Sequence, residues 1–480
     1  METLASNRMK SRSRKRSSRT RKTIRGGKYI GEGSYGCTFT DPPLKCTTNA
    51  TRRNSNQLTK LMDPYFADEE IQKSNLFRTI DPSEKYFITA NHSCSLNASN
   101  IKPENQLDKC KLITNVSSPK SLLFYKFGGY NLINLHPLQS GLYTYMFKSV
   151  VNLFDGLQLA HDNHIIHHDI KAENIVSGPS STGTSLYTRF IDFGFAHKFP
   201  ITDQDEMDIL TDEVKNTYVY WPFDIRFLNG DNFVRANNPA YKGHFEIEYK
   251  RWHKKFKETY GDFAPLFFDI HDNPRYAFND YYTNIISSFS TRPAVYTDEA
   301  ILLAADRYAI GLVFLELLRY LQYEIVWTPD GKYNFQINNT NKLPGNKGYV
   351  LMLETYGISH DIAEWHKEVV QHIASPILQI CMGLCMYNPL KRMSIVDAKQ
   401  IYVTNVLPHI DRLLDQSLVY NGLSAIKKIK GFLPPEPSLV LPPQPPVIRG
   451  AVPVVAPSSV RASPYPKPVL PKSRRNRRTV

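Results

Sequence analysis

The chain has 480 residues, is 41% hydrophobic and carries a formal net charge of +14. That length allows two or three average domains, or one large domain with insertions and tails, and the apolar share is enough to bury a core. The most apolar stretch, ILLAADRYAIGLVFLELL, contains Asp306, Arg307 and Glu316, which argues against a membrane span, and no apolar run follows the basic N-terminus as a secretion signal requires.

The charge is unevenly placed. Residues 1–28 hold eleven Lys/Arg and one Glu, and residues 431–480 hold eight and one, leaving about −3 for the rest. The basic character therefore belongs to the ends and says nothing about nucleic acid at the folded body. Six cysteines with no C-x-x-C pair point to a reducing compartment and away from a disulfide framework or a zinc site. Cys381 and Cys385, four apart on an expected helix, read as packing residues.

In chain order, residues 1–27 lack apolar periodicity and are expected as a basic disordered tail. Residues 28–61 alternate short β-rich pieces with turns, and within them 31–36 read GEGSYG. Glycines there let backbone approach phosphate where a Cβ would clash. The following CTFT and DPPL favour a second strand over a helix, hence a hairpin lying over a nucleotide. QLTKLM places Lys60 between apolar residues, as a third strand would, and ADEEIQ opens a helix offering Glu69 and Glu70. SLLFYKFGGYNL reads as a further strand.

From 142 the pattern turns helical, with Met146, Val150, Leu153, Leu157 and Ala160 on one stripe. Residues 167–174 read HHDIKAEN, which sets a carboxylate and an amide five residues apart, as a phosphotransferase needs for its acceptor hydroxyl and its metal. FIDFGFA then places Asp192 after a β-rich run, where a carboxylate suits Mg²⁺. Helical patterns recur at 300–320 and 363–387, residues 413–430 form an extension, and 431–480 hold thirteen of the 32 prolines and end in RRNRR, a proline-rich basic disordered tail. A strand-rich first part and a helix-rich second part make an α+β enzyme of two lobes with its site between them.

The ordered set G-x-G-x-x-G, H-x-D-x-K-x-x-N and D-F-G resembles the eukaryotic-type Ser/Thr protein kinase superfamily over residues 28–412. The resemblance implies a protein-kinase-like fold, with a β-rich lobe at 28–127 and a helical lobe at 128–412, and ATP and Mg²⁺ as substrate and cofactor. It implies that Gly31, Glu32, Gly33, Ser34, Tyr35 and Gly36 cover the nucleotide, and that Phe124 and Lys126 bring hinge backbone to the adenine. Asp169 would orient the acceptor and take its proton, Lys171 would sit at the γ-phosphate, and Asn174 and Asp192 would hold the metal. The family's ATP lysine falls to Lys60 over Lys45, and its glutamate partner to Glu70 over Glu69. Asp306 stands where the family anchors its catalytic loop. Asp224 in YWPFD, one position displaced from the usual Pro-Glu, is expected to pair with Arg392 in NPLKRMS. The rival reading is a pseudokinase or scaffold that binds ATP or partners without efficient transfer.

Two departures matter. His168 stands where the family has an Arg that clamps an activation-loop phosphate, so activation is not expected to need phosphate at Thr211 or Thr217. About 80 residues separate Asp224 from Asp306, with an aromatic insert at about 228–298 that either docks a partner or extends the core. The combination resembles Ser/Thr kinases of large nucleocytoplasmic DNA viruses. That implies an intracellular protein of the host cytoplasm or nucleus, or of the virion. The expected partners are a protein substrate, and nucleic acid or an acidic protein through the tails; the chain is expected to be a monomer.

Overall fold

The computed structural model describes residues 28–33, 36–40, 57–96, 109–111, 119–133, 143–179, 186–202, 206–208, 210, 218–228, 238–260, 278–279, 282–283, 297–320, 323–327, 333–337, 360–386 and 388–414. All lie in one unit, Met1–Leu441; a second, Pro442–Val480, falls outside the described residues, as do both expected tails.

The first β-rich stretches pair as a meander. In chain order come β1 (Lys28–Glu32), β2 (Gly36–Thr40), β3 (Gln57–Met62), helix α1 (Pro64–Ile80), β4 (His92–Leu96) and β5 (Lys120–Lys126). The strands form one antiparallel sheet in the order β1-β2-β3-β5-β4. Side chains alternate across it, so Cys37, Phe39, Leu61, Leu122 and Phe124 share one cluster. Met62, Leu123 and Tyr125 share another with Ala67 of α1. Helix α1 starts at Pro64, whose fixed φ suits a first helical position, and buries Ala67, Glu70, Ser74 and Phe77, a stripe at helical spacing.

The remainder is mainly helical. Strand β6 (Tyr130–Asn131) leads to α2 (Tyr143–Ser149) and α3 (Val151–Asp162). Short strands β7 (Ile165–Ile166), β8 (Ile175–Pro179), β9 (Leu186–Phe190) and β10 (His197–Lys198) carry the loops between them. Then come α4 (Lys242–Tyr260), α5 (Asp298–Tyr320), a hairpin of β11 (Tyr323–Trp327) and β12 (Tyr333–Ile337), α6 (His360–Val369), α7 (Ser375–Leu384), α8 (Ile395–Ile401) and α9 (Ile410–Leu413). Helix α5 is apolar on nearly every face and sits at the centre: Leu302, Ile310, Phe314 and Leu318 are fully buried, and Phe314 stacks on Phe154 of α3 at 4.7 Å. Each such side chain contributes roughly 1.5–3 kcal/mol. No helix among the described residues is long and apolar enough to cross a membrane.

Segment 86–88 ties the sheet to the helical part. Phe87 bridges Phe190 of β9, with Ile88 N donating to Phe190 O at 3.0 Å and Phe190 N to Tyr86 O at 2.9 Å. The insert is also partly a core element. Helix α4 buries Phe245, Tyr249, Trp252, Phe256 and Tyr260 and packs its aromatic face on residues 221–228.

The cysteines correct the sequence reading. Cys37 and Cys110 form a disulfide with Cα atoms 5.9 Å apart, and Cys94 is disulfide-bonded as well. Linear spacing hid this, because the sheet brings together residues 73 apart. Cys381 and Cys385 are free and buried, as packing residues should be. Closing so long a loop restricts the unfolded chain, so Cys110→Ser is expected to cost about 2–4 kcal/mol. Denaturant unfolding with and without reductant checks this: the variant should unfold earlier than the parent without reductant, and the two midpoints should converge when both are reduced.

Candidate active site

The glycine-rich turn joins β1 to β2. A Cβ on Gly36 would stand 2.7 Å from the Leu61 carbonyl oxygen, so close strand packing demands glycine there. At Gly31 a Cβ would meet nothing, and at Gly33 only Asp192 Oδ2 at 3.8 Å. Gly33 of the turn therefore lies close to the Asp192 carboxylate. Ser34 and Tyr35 lie outside the described residues. Glu32 accepts from Lys111 N at 3.1 Å, so it braces the turn against the segment holding Cys110.

Lys60 projects from β3 toward α1. Its Nζ lies 2.7 Å from Glu70 Oε2 and 3.1 Å from Asp192 Oδ1. Burial opposes its charge, yet Asp192 and Glu70 together hold it protonated above the ordinary lysine range. Glu70 is buried and also accepts from the Tyr125 hydroxyl, whereas Glu69 pairs with Lys73 nearer the surface. The geometry thus separates the two glutamates in favour of Glu70. Lys45 lies outside the described residues.

HHDIKAEN folds as a tight loop between β7 and β8. His168 has φ 62°, in the left-handed region, and the loop is pinned from α5: Asp306 Oδ2 accepts from His167 N at 2.8 Å and Oδ1 from His168 N at 2.9 Å. Burial alone would raise the Asp306 carboxyl; His161 and these backbone donors bring it below the usual range instead. The loop then presents Asp169. Lys171 Nζ lies 3.0 and 2.9 Å from its two oxygens, and Asn174 Nδ2 donates to Oδ2 at 2.7 Å and to the Asp169 carbonyl at 3.0 Å. Burial pushes the Asp169 carboxyl up, against Lys171. Asp192, at φ 65°, also occupies the left-handed region, and burial acting on its carboxyl is outweighed by Lys60.

An aromatic column backs both loops. Phe77 of α1 stacks on Phe193 at 4.2 Å and meets Phe87 at a tilt at 4.7 Å, and His167 abuts Phe193 at 5.3 Å. Lys73 reaches the Gly194 carbonyl. Among the described residues no group of three His, Cys, Asp or Glu could hold a metal alone. Asn174 spends its nitrogen on Asp169, which leaves its amide oxygen, with the Asp192 carboxylate, as an all-oxygen donor pair of the kind Mg²⁺ takes alongside phosphate.

Asp224 and Arg392 meet as a double hydrogen bond in the core, each side chain 1% exposed, with the guanidinium also on the Met386 and Ala304 carbonyls. Phe124 is placed otherwise than the hinge reading expects. It lies inside β5, paired on both sides, and its carbonyl already accepts from Asn91 N at 2.7 Å. Strand β5 ends at Lys126, which pairs with Glu84 at 2.8 Å. Sequence reading missed Tyr125, Tyr218 and Trp221, which touch Glu70, Asp169 and the His168 carbonyl. His168 is buried against Trp221 at 4.7 Å, while His197 Nδ1 bonds Glu206 at 2.8 Å. Thr211 and Thr217 lie outside the described residues. A scan against protein-family models found no match, and a search of curated proteins found none.

Two outcomes follow from the buried groups. Arg392→Ala strands the Asp224 carboxylate and is expected to cost about 3–5 kcal/mol in denaturant unfolding. Burial, then His197 and Lys73, hold the His168 imidazole down at about 3, from an ordinary 6.5, despite Asp306 nearby. The unfolded chain therefore binds a proton that the folded loop refuses. That stabilisation is whole above about pH 6.5 and lost as pH falls toward about 3. His168→Asn, which tolerates the left-handed backbone, should show a smaller drop in unfolding midpoint between pH 7 and pH 5 than the parent.

Proposed function

We propose that this chain is an ATP-dependent Ser/Thr protein kinase, with the sheet and α1 as a small lobe and the helical part as a large one. The observation that carries the reading is the convergence on Lys60: a lysine from a strand, a glutamate from a helix and an aspartate from a distant loop meet within 3.1 Å, beneath a glycine turn and beside the Asp169 loop. A buried ammonium between two carboxylates, near a glycine turn, suits a polyanion such as the phosphates of ATP.

In this reading Lys60 neutralises phosphate oxygens and Glu70 fixes its position. Asn174 and Asp192 would hold Mg²⁺, which supplies charge neutralisation at the phosphates. Asp169 accepts a hydrogen bond from the protein hydroxyl and aims its oxygen, and Lys171, already on Asp169, counters charge at the transferred group. Such transfer is mostly positioning and electrostatics, and Lys60, Glu70 and Asp169 are each held by two or more partners.

The test is transfer of γ-phosphate from Mg·ATP to a basic protein by the purified chain. Asp169→Asn and Asp192→Asn should each lower kcat by roughly 10²–10⁴-fold, the second with a lower melting temperature as well because it takes one carboxylate from Lys60. Equal transfer by parent and both variants would overturn the assignment. ATP binding without transfer by the parent would favour a pseudokinase.

A further inference from the structure

Tyr218 sits outside the residues read from the motifs, yet its hydroxyl donates to Asp169 Oδ1 at 2.9 Å. The carboxylate is thereby gripped on both oxygens: Asn174 Nδ2 holds Oδ2 at 2.7 Å, Tyr218 holds Oδ1, and Lys171 bridges the two. Rotating the carboxylate breaks the Asn174 and Tyr218 bonds together. When Lys171 serves a phosphate, Tyr218 remains the donor on Oδ1. With Lys171 on both oxygens, four bonds occupy about four lone-pair positions; once Lys171 turns to a phosphate, Asn174 and Tyr218 still hold one position on each oxygen and a position is open to an incoming hydroxyl.

The phenol is held in turn. Its ring lies 5.1 Å from Trp221, edge to face, and 5.3 Å from Tyr220, with the Lys171 ammonium 5.6 Å from its centre. Trp221 Nε1 donates to the His168 carbonyl at 2.7 Å, next to Asp169. From the other side Trp252 Nε1 of α4 donates to the Trp221 carbonyl at 2.9 Å. Tyr249 of the same helix packs on Phe223 at 5.0 Å. A hydrogen-bonded chain thus runs from the inserted helix through Trp221 to the loop that carries the carboxylate.

We propose that Tyr218 is a positioning residue for the Asp169 carboxylate, and that the inserted helix α4 is the element that seats it. The inference rests on the phosphotransferase reading of the same site and extends it to residues the motifs do not contain. It also gives the insert a role inside the chemistry rather than at a distance from it.

The groups facing Asp169 are Lys171, Asp192, His167 and Tyr218. The Tyr218 bond favours the ionised carboxylate, so removing the hydroxyl should move the Asp169 titration, and the acid limb of the pH–rate profile, to higher pH. The phenol itself does not ionise in the working range, because burial and then the Asp169 charge raise it.

The experiment compares the parent, Tyr218→Phe and Trp252→Phe as full chains, with kcat and KM for ATP, pH–rate profiles, melting, and a ¹³C-carboxyl NMR titration of Asp169. Tyr218→Phe should lower kcat roughly ten- to a hundredfold with KM for ATP and melting unchanged, and shift both pH readouts up. Trp252→Phe keeps an aromatic side chain, though a smaller one, and loses the donor; it should lower kcat less, again at constant KM. An unchanged kcat with an unmoved titration would sink the proposal. So would a rise in kcat, since the phenol would then be competing with the acceptor. A lower kcat that tracks lower melting, with the Asp169 titration unmoved, would leave Tyr218 a merely structural residue. Loss in Tyr218→Phe beside an unaffected Trp252→Phe would overturn the part given to the helix. If the parent transfers no phosphate the kinase reading fails, and the carboxyl titration still decides whether Tyr218 holds Asp169.

Discussion

The Lys60 ammonium is the constraint around which the site is arranged. A lone charge that deeply buried would cost several kcal/mol, so it persists only with Glu70 and Asp192 both in reach. Those carboxylates come from helix α1 and from the loop after β9, which makes the relative placement of three elements a single electrostatic requirement. Helix α1 meets it with more than Glu70. Phe77 stacks on Phe193, and Lys73 reaches the Gly194 carbonyl, so the helix grips the Asp192 turn at two further points. Neither grip would form if the helix turned Glu70 away.

The second constraint is backbone strain. His168 and Asp192 both adopt positive φ without being glycine, a conformation that costs about 1–3 kcal/mol each and persists only where the surroundings over-determine it. For His168 the source is Asp306, whose two oxygens capture consecutive amides. Asp306 belongs to α5, the most completely buried helix, so the central core is the anchor of the reactive loop. The Asp224–Arg392 pair ties residues 223–227 to α5 as well, through the Ala304 carbonyl.

What could be read from the chain beforehand follows from the range of the interactions concerned. The α3 stripe of Leu153, Leu157 and Ala160 is local periodicity, and it was legible. So was Lys60, whose apolar neighbours in QLTKLM mark a strand with one polar residue turned inward. The antiparallel pair β11 and β12 carried an unread signal in the sequence, turn-forming residues TPDGK between the β-rich YEIVW and YNFQI. Phe124 was misplaced because strand ends are set by pairing partners, here Thr59 and His92, rather than by the strand's own sequence. The Cys37–Cys110 bond, the Tyr218–Asp169 bond and the Trp252–Trp221 bond join residues 73, 49 and 31 positions apart with no motif to mark them. Only the folded chain brings these together.

The chain of indoles from α4 to the His168 carbonyl has a thermal consequence. Helix α4 packs on residues 221–228 through one aromatic face and is charged on the other, so it belongs among the elements that open at free energies below that of global unfolding. Because Trp221 stands between the helix and the loop, such opening would loosen residues 167–169 while α5 and the sheet remain intact. Over a band of temperature the molecule would then be folded by spectroscopic criteria while the Asp169 loop has lost its order, at a temperature set by the inserted helix rather than by α5.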